Sequence, residues 1–334
     1  MKKILLSLLL IVAVLTVVYY AGPKVEYEAV SADMPTLNVA LEELDAYIDS
    51  NERMVPGVKL DNQSRIVWAD DSVQQTEYAI VYLHGFSASP MESRPVHLNL
   101  AKKFGMNLYL PRLSQHGLED TDAFLDLTPS SLMESAKEAL AIGQIIGKKV
   151  ILMSCSTGGT LSIYLAANHP EKVFAQLLYS PNIEIFDGTV KIVNDPWGEK
   201  ILKSIVGDFR DHPEDRGTEI ERYWTIKYRS EGVIALQDLL EQTMTNDVFQ
   251  GVSQPYMLGF YYKNEEEQDN VVSVAAMRDF DLKTSTPNDK KQVSEFPSAG
   301  GHVIASDLQS KDWQAVQVET QKYITEILGI PAVD

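Results

Sequence analysis

Short, uninterrupted apolar runs alternate with helical stretches through most of this chain, and that alternation constrains its fold more than any other feature. The runs lie at 78–83 (YAIVYL), 107–110, 149–153, 175–179 and 255–262. A strand that is apolar along its whole length has no face left for water, so it belongs in a parallel sheet covered on both sides. Helical stretches such as 131–146 and 158–168 supply the covering layers. The pattern predicts an α/β fold: an open, mostly parallel sheet with helices on both faces. Residues 65–68 and 292–296 read as further short strands, and Trp313, Val316, Ile324 and Ile327 share one face of a C-terminal helix that exits at Gly329. The alternation breaks over 187–254, where Trp197, Arg222, Trp224 and Tyr228 occur in helical-looking segments without strand runs. That segment is expected to be an inserted helical cap on a body made of 64–186 and 255–334.

The N-terminus sets the compartment. Lys2 and Lys3 precede an uncharged run from 4 to 22, longer than the roughly 7 to 15 apolar residues of a cleavable signal. At about 1.5 Å per residue it nearly matches a hydrocarbon core of about 30 Å. Tyr19 and Tyr20 stand where interfacial aromatics belong, and Tyr19 occupies the place where a cleavage site needs a small residue. A signal-anchor over 1–22 is expected, with the N-terminus in the cytoplasm and the body extracytoplasmic (periplasmic in a bacterium); secretion after cleavage is the alternative. In the 23–63 segment that follows, Leu37, Leu41, Leu44 and Ile48 recur at helical spacing and predict an amphipathic helix.

Composition narrows the partners. The 334 residues carry 29 Lys+Arg against 47 Asp+Glu, a net charge of -18 that repels phosphate backbones, so nucleic acid is not expected. Cys155 is the only cysteine, which excludes an intrachain disulfide, a cysteine metal cluster and a lipoprotein anchor. The six histidines show no ligand-like spacing, and neither a metal nor a cofactor is expected.

Four places carry chemistry. In Ser154-Cys155-Ser156-Thr157-Gly158, a strand runs directly into a helix. A nucleophile on such a strained turn needs small residues two before and two after it. Ser156 meets that condition; Ser154 and Cys155 do not, since larger residues would then fall at the crowded positions. Acyl transfer also needs two N–H groups aimed at the oxyanion, one following the nucleophile and one from an earlier strand-to-helix loop. Cys155 and, in His84-Gly85-Phe86, Phe86 are the expected donors, with His84 bracing the loop. The order serine, acid, histidine leaves His302, in Gly300-Gly301-His302, as the base. His97 and His169 read as solvated helix or helix-end residues, His116 as a loop residue and His212 as part of the cap. Asp269 follows the last long strand and suits the acid; Glu265, Glu266 and Glu267 on the same loop, and Glu184 and Asp187 after the preceding strand, remain alternatives.

Together, His84-Gly85-Phe86, the 112–117 stretch ending in His116-Gly117, the elbow at Ser156 and Gly301-His302 resemble the α/β-hydrolase fold family, in its esterase, monoacylglycerol lipase and serine aminopeptidase-like branch. The resemblance runs over 78–328 with a gap at the cap. It implies an eight-stranded, mostly parallel sheet, a Ser156-His302-Asp269 triad, an oxyanion hole at Phe86 and Cys155, a cap that shapes an acyl pocket, and no cofactor. Two departures are a serine at 154 where glycine is usual and a longer acid loop at 263–268. The expected activity is a membrane-anchored serine hydrolase acting on carboxylic esters. The alternatives are an aminopeptidase or amidase, whose substrate ammonium would meet Glu199, Asp208, Asp211, Glu214 and Asp215, and a non-catalytic, membrane-tethered binding module.

Overall fold

The structure is a computed structural model and describes residues 2–70, 72–211 and 217–333. The strands are β1 (Arg65–Val67), β2 (Thr76–Leu83), β3 (Asn107–Leu110), β4 (Gly147–Cys155), β5 (Ala175–Tyr179), β6 (Phe209–Asp211), β7 (Lys227–Arg229), β8 (Tyr256–Phe260) and β9 (Lys291–Glu295). The helices are α1 (Lys2–Tyr20), α2 (Leu44–Arg53), α3 (Val96–Phe104), α4 (Pro129–Ile146), α5 (Thr157–Asn168), α6 (Gly198–Val206), α7 (Thr218–Tyr223), α8 (Glu231–Thr243), α9 (Asn246–Gly251), α10 (Val274–Lys283) and α11 (Trp313–Glu326). Seven strands form the main sheet in the order β1-β3-β2-β4-β5-β8-β9. All its neighbours pair in parallel except β1, which runs antiparallel to β3.

The two-residue period of the pleat sorts the core. From β2, Ile80 and Tyr82 point to one face, where they meet Leu100 of α3 and Val316 and Tyr323 of α11. Ala79, Val81 and Leu83 point to the other, against Leu132 and Leu140 of α4 and Leu161 of α5. Local signals set the helix ends: Thr128 and Ser131 form a reciprocal capping box at the start of α4, with Pro129 in its first turn, and α3 stops at Gly105 with φ 59°. Strand order reverses between β2 and β4, and the crevice at the carboxyl ends of such strands is where open α/β sheets bind ligands.

Three expectations need correction. The main sheet has seven strands rather than eight, because the chain ahead of β1 folds as a 3₁₀ turn (Leu41–Glu43) and α2. The amphipathic helix begins later than its leucine spacing predicts: Leu37 packs on the same core cluster as Leu44 and Ile48, but from irregular chain. The cap segment is not strandless, since β6 and β7 pair antiparallel, Phe209 opposite Arg229; three-residue strands are too short to show periodicity. Within that segment α8 turns back onto the body, burying Ala235 and Leu239 in the α4–α5 cluster. His212, Glu214 and Asp215 lie outside the described residues.

Helix α1 is long and apolar enough to cross a membrane, and none of its Lys3–Tyr20 window is buried. At its end, the Trp197 indole N–H donates to Val18 O at 3.1 Å and the Trp197 backbone N–H to Pro23 O at 2.8 Å.

Candidate active site

Ser156 stands alone between β4 and α5 with φ 52° and ψ −119°. A non-glycine residue in such a region costs about 1–3 kcal/mol and persists only where its surroundings hold it. They do so here: the Ser156 N–H donates to Tyr179 O at 3.1 Å, and the Ser156 carbonyl accepts from the N–H groups of Gly159 at 2.8 Å and Asn182 at 2.9 Å. The glycine two residues on is obligatory, since a Cβ at Gly158 would lie 1.9 Å from Leu83 O. Ser154 fits where glycine is usual, wholly buried inside β4 and in register with Leu83 and Leu178. Cys155 is buried too, and burial pushes its thiol well above the ordinary range. Of the three side chains, only that of Ser156 lines the cavity that the 187–254 segment helps to wall.

His302 and Asp269 arrive on separate loops and meet. His302 Nδ1 lies 2.6 Å from Asp269 Oδ2, while Asp269 Oδ1 accepts the N–H groups of Val271 at 2.9 Å and Val272 at 3.1 Å. The Ser180 hydroxyl holds the histidine loop through His302 O at 2.8 Å. Burial works against both charges, lowering His302 and raising Asp269, but their mutual attraction and hydrogen bond outweigh it. The imidazole ends above its usual 6.5 and the carboxyl below its usual 3.8. His302 Nε2 is buried without a hydrogen-bond partner among the described residues and lines the same cavity as Ser156. Hydrogen bonds of this kind often close only when substrate binds.

Four of the five competing carboxylates are committed elsewhere. Glu267 pairs with Lys263 at 2.6 Å, Glu265 accepts from the Tyr262 hydroxyl at 2.9 Å, and Glu184 pairs with Lys191. Asp187 caps a turn through the Thr189 N–H at 3.0 Å.

Phe86 follows β2 on a loop fixed by His84. His84 Nδ1 donates to Gly85 O at 3.0 Å and its Nε2 accepts the Leu113 N–H at 3.0 Å, which requires the neutral imidazole. Burial, with smaller contributions from the His116 and Arg112 charges, holds that ring well below its ordinary pKa, so His84 is a brace. Cys155 is misplaced as the second donor. It precedes the serine as the last residue of β4, in register with Tyr179, so its amide lies in the plane of the sheet. Thr157, the first residue of α5, has an N–H with no intrahelical acceptor, at the positive end of the helix. The rule that the donor follows the nucleophile points to Thr157 when applied to the residue numbers.

Of the other histidines, His97 differs from expectation. His97 is fully buried, its Nε2 3.1 Å from Pro90 O, and burial lowers it to about 3. His116 is buried on its loop and lowered to about 4 for the same reason. His169 caps the end of α5, half-buried, with Nε2 2.6 Å from Ala32 O. Among the described residues, no group of three or more His, Cys, Asp or Glu side chains could hold a metal ion. No residue pattern marks Glu92, a buried carboxyl in the cavity wall.

The cavity has a volume of about 500 Å³ and lies between Ser156 and residues of the 187–254 segment. Ile192, Val193, Ile201, Val206 and Leu236 give it an apolar wall opposite the serine. A serine on a strained turn, a carboxylate-oriented imidazole, an N–H at a helix N-terminus and a chamber with an apolar wall are together equipped for acyl transfer.

No protein-family model matches the chain. A thermostable monoacylglycerol lipase from Bacillus sp. (strain H-257) is 32% identical over 92 residues, covering 28% of this chain and 36% of the relative, so the match spans about a third of that protein's length. Among solved structures, one reported for LipS and LipT, two metagenome-derived lipolytic enzymes, superposes with a TM-score of 0.64 at 14% identity, covering 81% of this chain and 99% of the other. The monoacylglycerol lipase of Paleococcus ferrophilus gives 0.57 at 13% identity over 79% and 98%. Est1E from Butyrivibrio proteoclasticus with bound ferulic acid gives 0.54 at 13% identity over 82% and 100%.

Proposed function

The chain has the α/β-hydrolase fold, and on that premise we propose that it is a serine hydrolase that cleaves carboxylic esters through an acyl-enzyme. The observation that carries this reading is the 2.6 Å contact between His302 Nδ1 and Asp269, with the other ring nitrogen sharing a cavity with Ser156. Ser156 Oγ attacks the ester carbonyl while His302 Nε2 takes its proton and passes it to the departing alcohol. Asp269 orients the ring and stabilises its charged form. Water then repeats the cycle on the acyl-enzyme, with His302 again the base. The N–H groups of Phe86 and Thr157 hold the oxyanion; a donor of this kind is typically worth about 100- to 1000-fold in rate.

The apolar cap wall suits the acyl part of the substrate, and the lipases and esterases among the relatives agree with that class. Residues 187–254 act as the cap, and α1 as a signal-anchor that leaves the body on the extracytoplasmic side. The amidase reading is weaker because Glu199, one of its five candidates for receiving an ammonium group, is already paired with Lys203 at 2.6 Å. Aryl esters of rising acyl length, set against aminoacyl arylamides, test the assignment. Ester turnover that disappears in Ser156→Ala is expected; turnover of the arylamides alone would overturn it.

A further inference from the structure

The cavity wall holds a titratable group that the triad does not use. Glu92 lies between β2 and α3, only 2% exposed, and lines the cavity together with Ser156 and His302. Its Oε2 accepts the Gly85 N–H at 2.8 Å and the Tyr82 hydroxyl at 2.7 Å. The Tyr82 hydroxyl in turn accepts from Ser93 Oγ at 2.6 Å. A buried network satisfied in this way is stiff, because each lost partner strands a desolvated polar group.

The network ends on one amide. Gly85 N–H is held by Glu92, and Gly85 O is held by His84 Nδ1 at 3.0 Å and the Ala88 N–H at 3.2 Å. The peptide between Gly85 and Phe86 is planar, so pinning both sides of Gly85 fixes the direction of the Phe86 N–H. Space is tight as well: a Cβ on Gly85 would meet Glu92 Oε1 at 2.9 Å and Ser156 Cβ at 3.1 Å, so the carboxyl, the glycine and the serine are packed side by side.

We propose that Glu92 is a positioning residue whose carboxyl pins the Gly85 amide and thereby aims the Phe86 N–H at the oxyanion. The inference rests on the serine-hydrolase reading. What the loop needs from residue 92 is an oxygen acceptor, not a charge. Burial raises the Glu92 carboxyl above the usual carboxylate range.

The test compares Glu92→Ala with Glu92→Gln, which keeps shape and acceptor, on the full chain. The measurements are kcat, KM for a soluble aryl ester, and the affinity of a trifluoromethyl ketone whose serine adduct carries an oxyanion. Misaiming a donor rather than deleting it should lower kcat by about 10- to 100-fold in the alanine variant and weaken the ketone by a similar factor, with KM within about threefold. The glutamine variant should recover both to within about threefold of wild type. Glu92→Met, which fills the volume without an acceptor, carries the comparison if the alanine variant does not fold. A folded Glu92→Ala or Glu92→Met protein with unchanged kcat and ketone affinity would overturn the proposal. So would a glutamine variant as impaired as alanine, since the effect would then belong to the charge. Fluorophosphonate labelling of the wild type separates the two failures: no adduct at Ser156 overturns the hydrolase reading, whereas an adduct with no Glu92 effect overturns only the positioning role.

Discussion

Replacing Gly158 with alanine probes the packing that creates the elbow. The added methyl would sit 1.9 Å from Leu83 O, 2.5 Å from Leu83 C and 2.8 Å from His84 O, all backbone atoms at the end of β2 and the start of the Phe86 loop. None of these is the tip of a side chain that can swing away, so the strand end and α5 must separate. Gly158 has no positive φ, so the effect is steric rather than conformational. Overpacking costs about 1–3 kcal/mol and sometimes more, and a contact this short against backbone belongs at the upper end. At roughly 2–4 °C per kcal/mol, melting should fall by about 6–12 °C. Relieving the contact needs a displacement of about 1 Å between the two proposed oxyanion donors, a misplacement worth on the order of 100-fold in rate. Differential scanning calorimetry and ester turnover measure the two effects. Gly188→Ala is the control, because nothing lies within 4 Å of its added Cβ. A Gly158→Ala protein that melts with the wild type and turns over ester at the same rate would refute the packing argument.

Asp269→Asn should lower kcat by about 10⁴-fold while leaving the fold intact; Glu267→Gln, on the same loop but paired with Lys263, should stay within about twofold, and a reversal of the two would move the acid. The pH profile follows from the base: His302 acts deprotonated, so kcat/KM falls as pH drops through its pKa, which lies above 6.5 because the Asp269 charge outweighs burial. In Asp269→Asn that attraction is gone, and the acid limb should move to lower pH along with the loss of rate; an unmoved limb would detach it from the pair. Full-length protein should float with liposomes and resist carbonate extraction through α1, and release by carbonate would remove the anchor.

Much of the body was legible because its strands are buried on both faces. The bounds of β3 and β5 coincide with their apolar runs. The start of β4 was set too late, because α4 passes into it at Gly147 with no intervening loop. Leu37 misled for a related reason: a leucine that docks irregular chain on the core has the same spacing as a helical one. Ser156, His302 and Asp269 were proposed from order and small-residue crowding, and the structure brings His302 within 2.6 Å of Asp269. The second oxyanion donor and Glu92 were not legible. A backbone N–H leaves no mark in residue identity, and whether a carboxylate between Met91 and Ser93 faces water or a cavity depends on how its turn folds. His97 shows the same limit in reverse, a polar residue on α3 drawn inside by one carbonyl at Pro90.

The central claim is that Ser156 is the nucleophile activated by the His302–Asp269 pair. Intact-mass and peptide mapping after exposure to a fluorophosphonate tests it most directly. One adduct on the peptide containing Ser156 is predicted for the wild type, slowed in Asp269→Asn and absent in a folded Ser156→Ala protein. An adduct that persists in Ser156→Ala, or a folded wild type that takes none, would contradict the account.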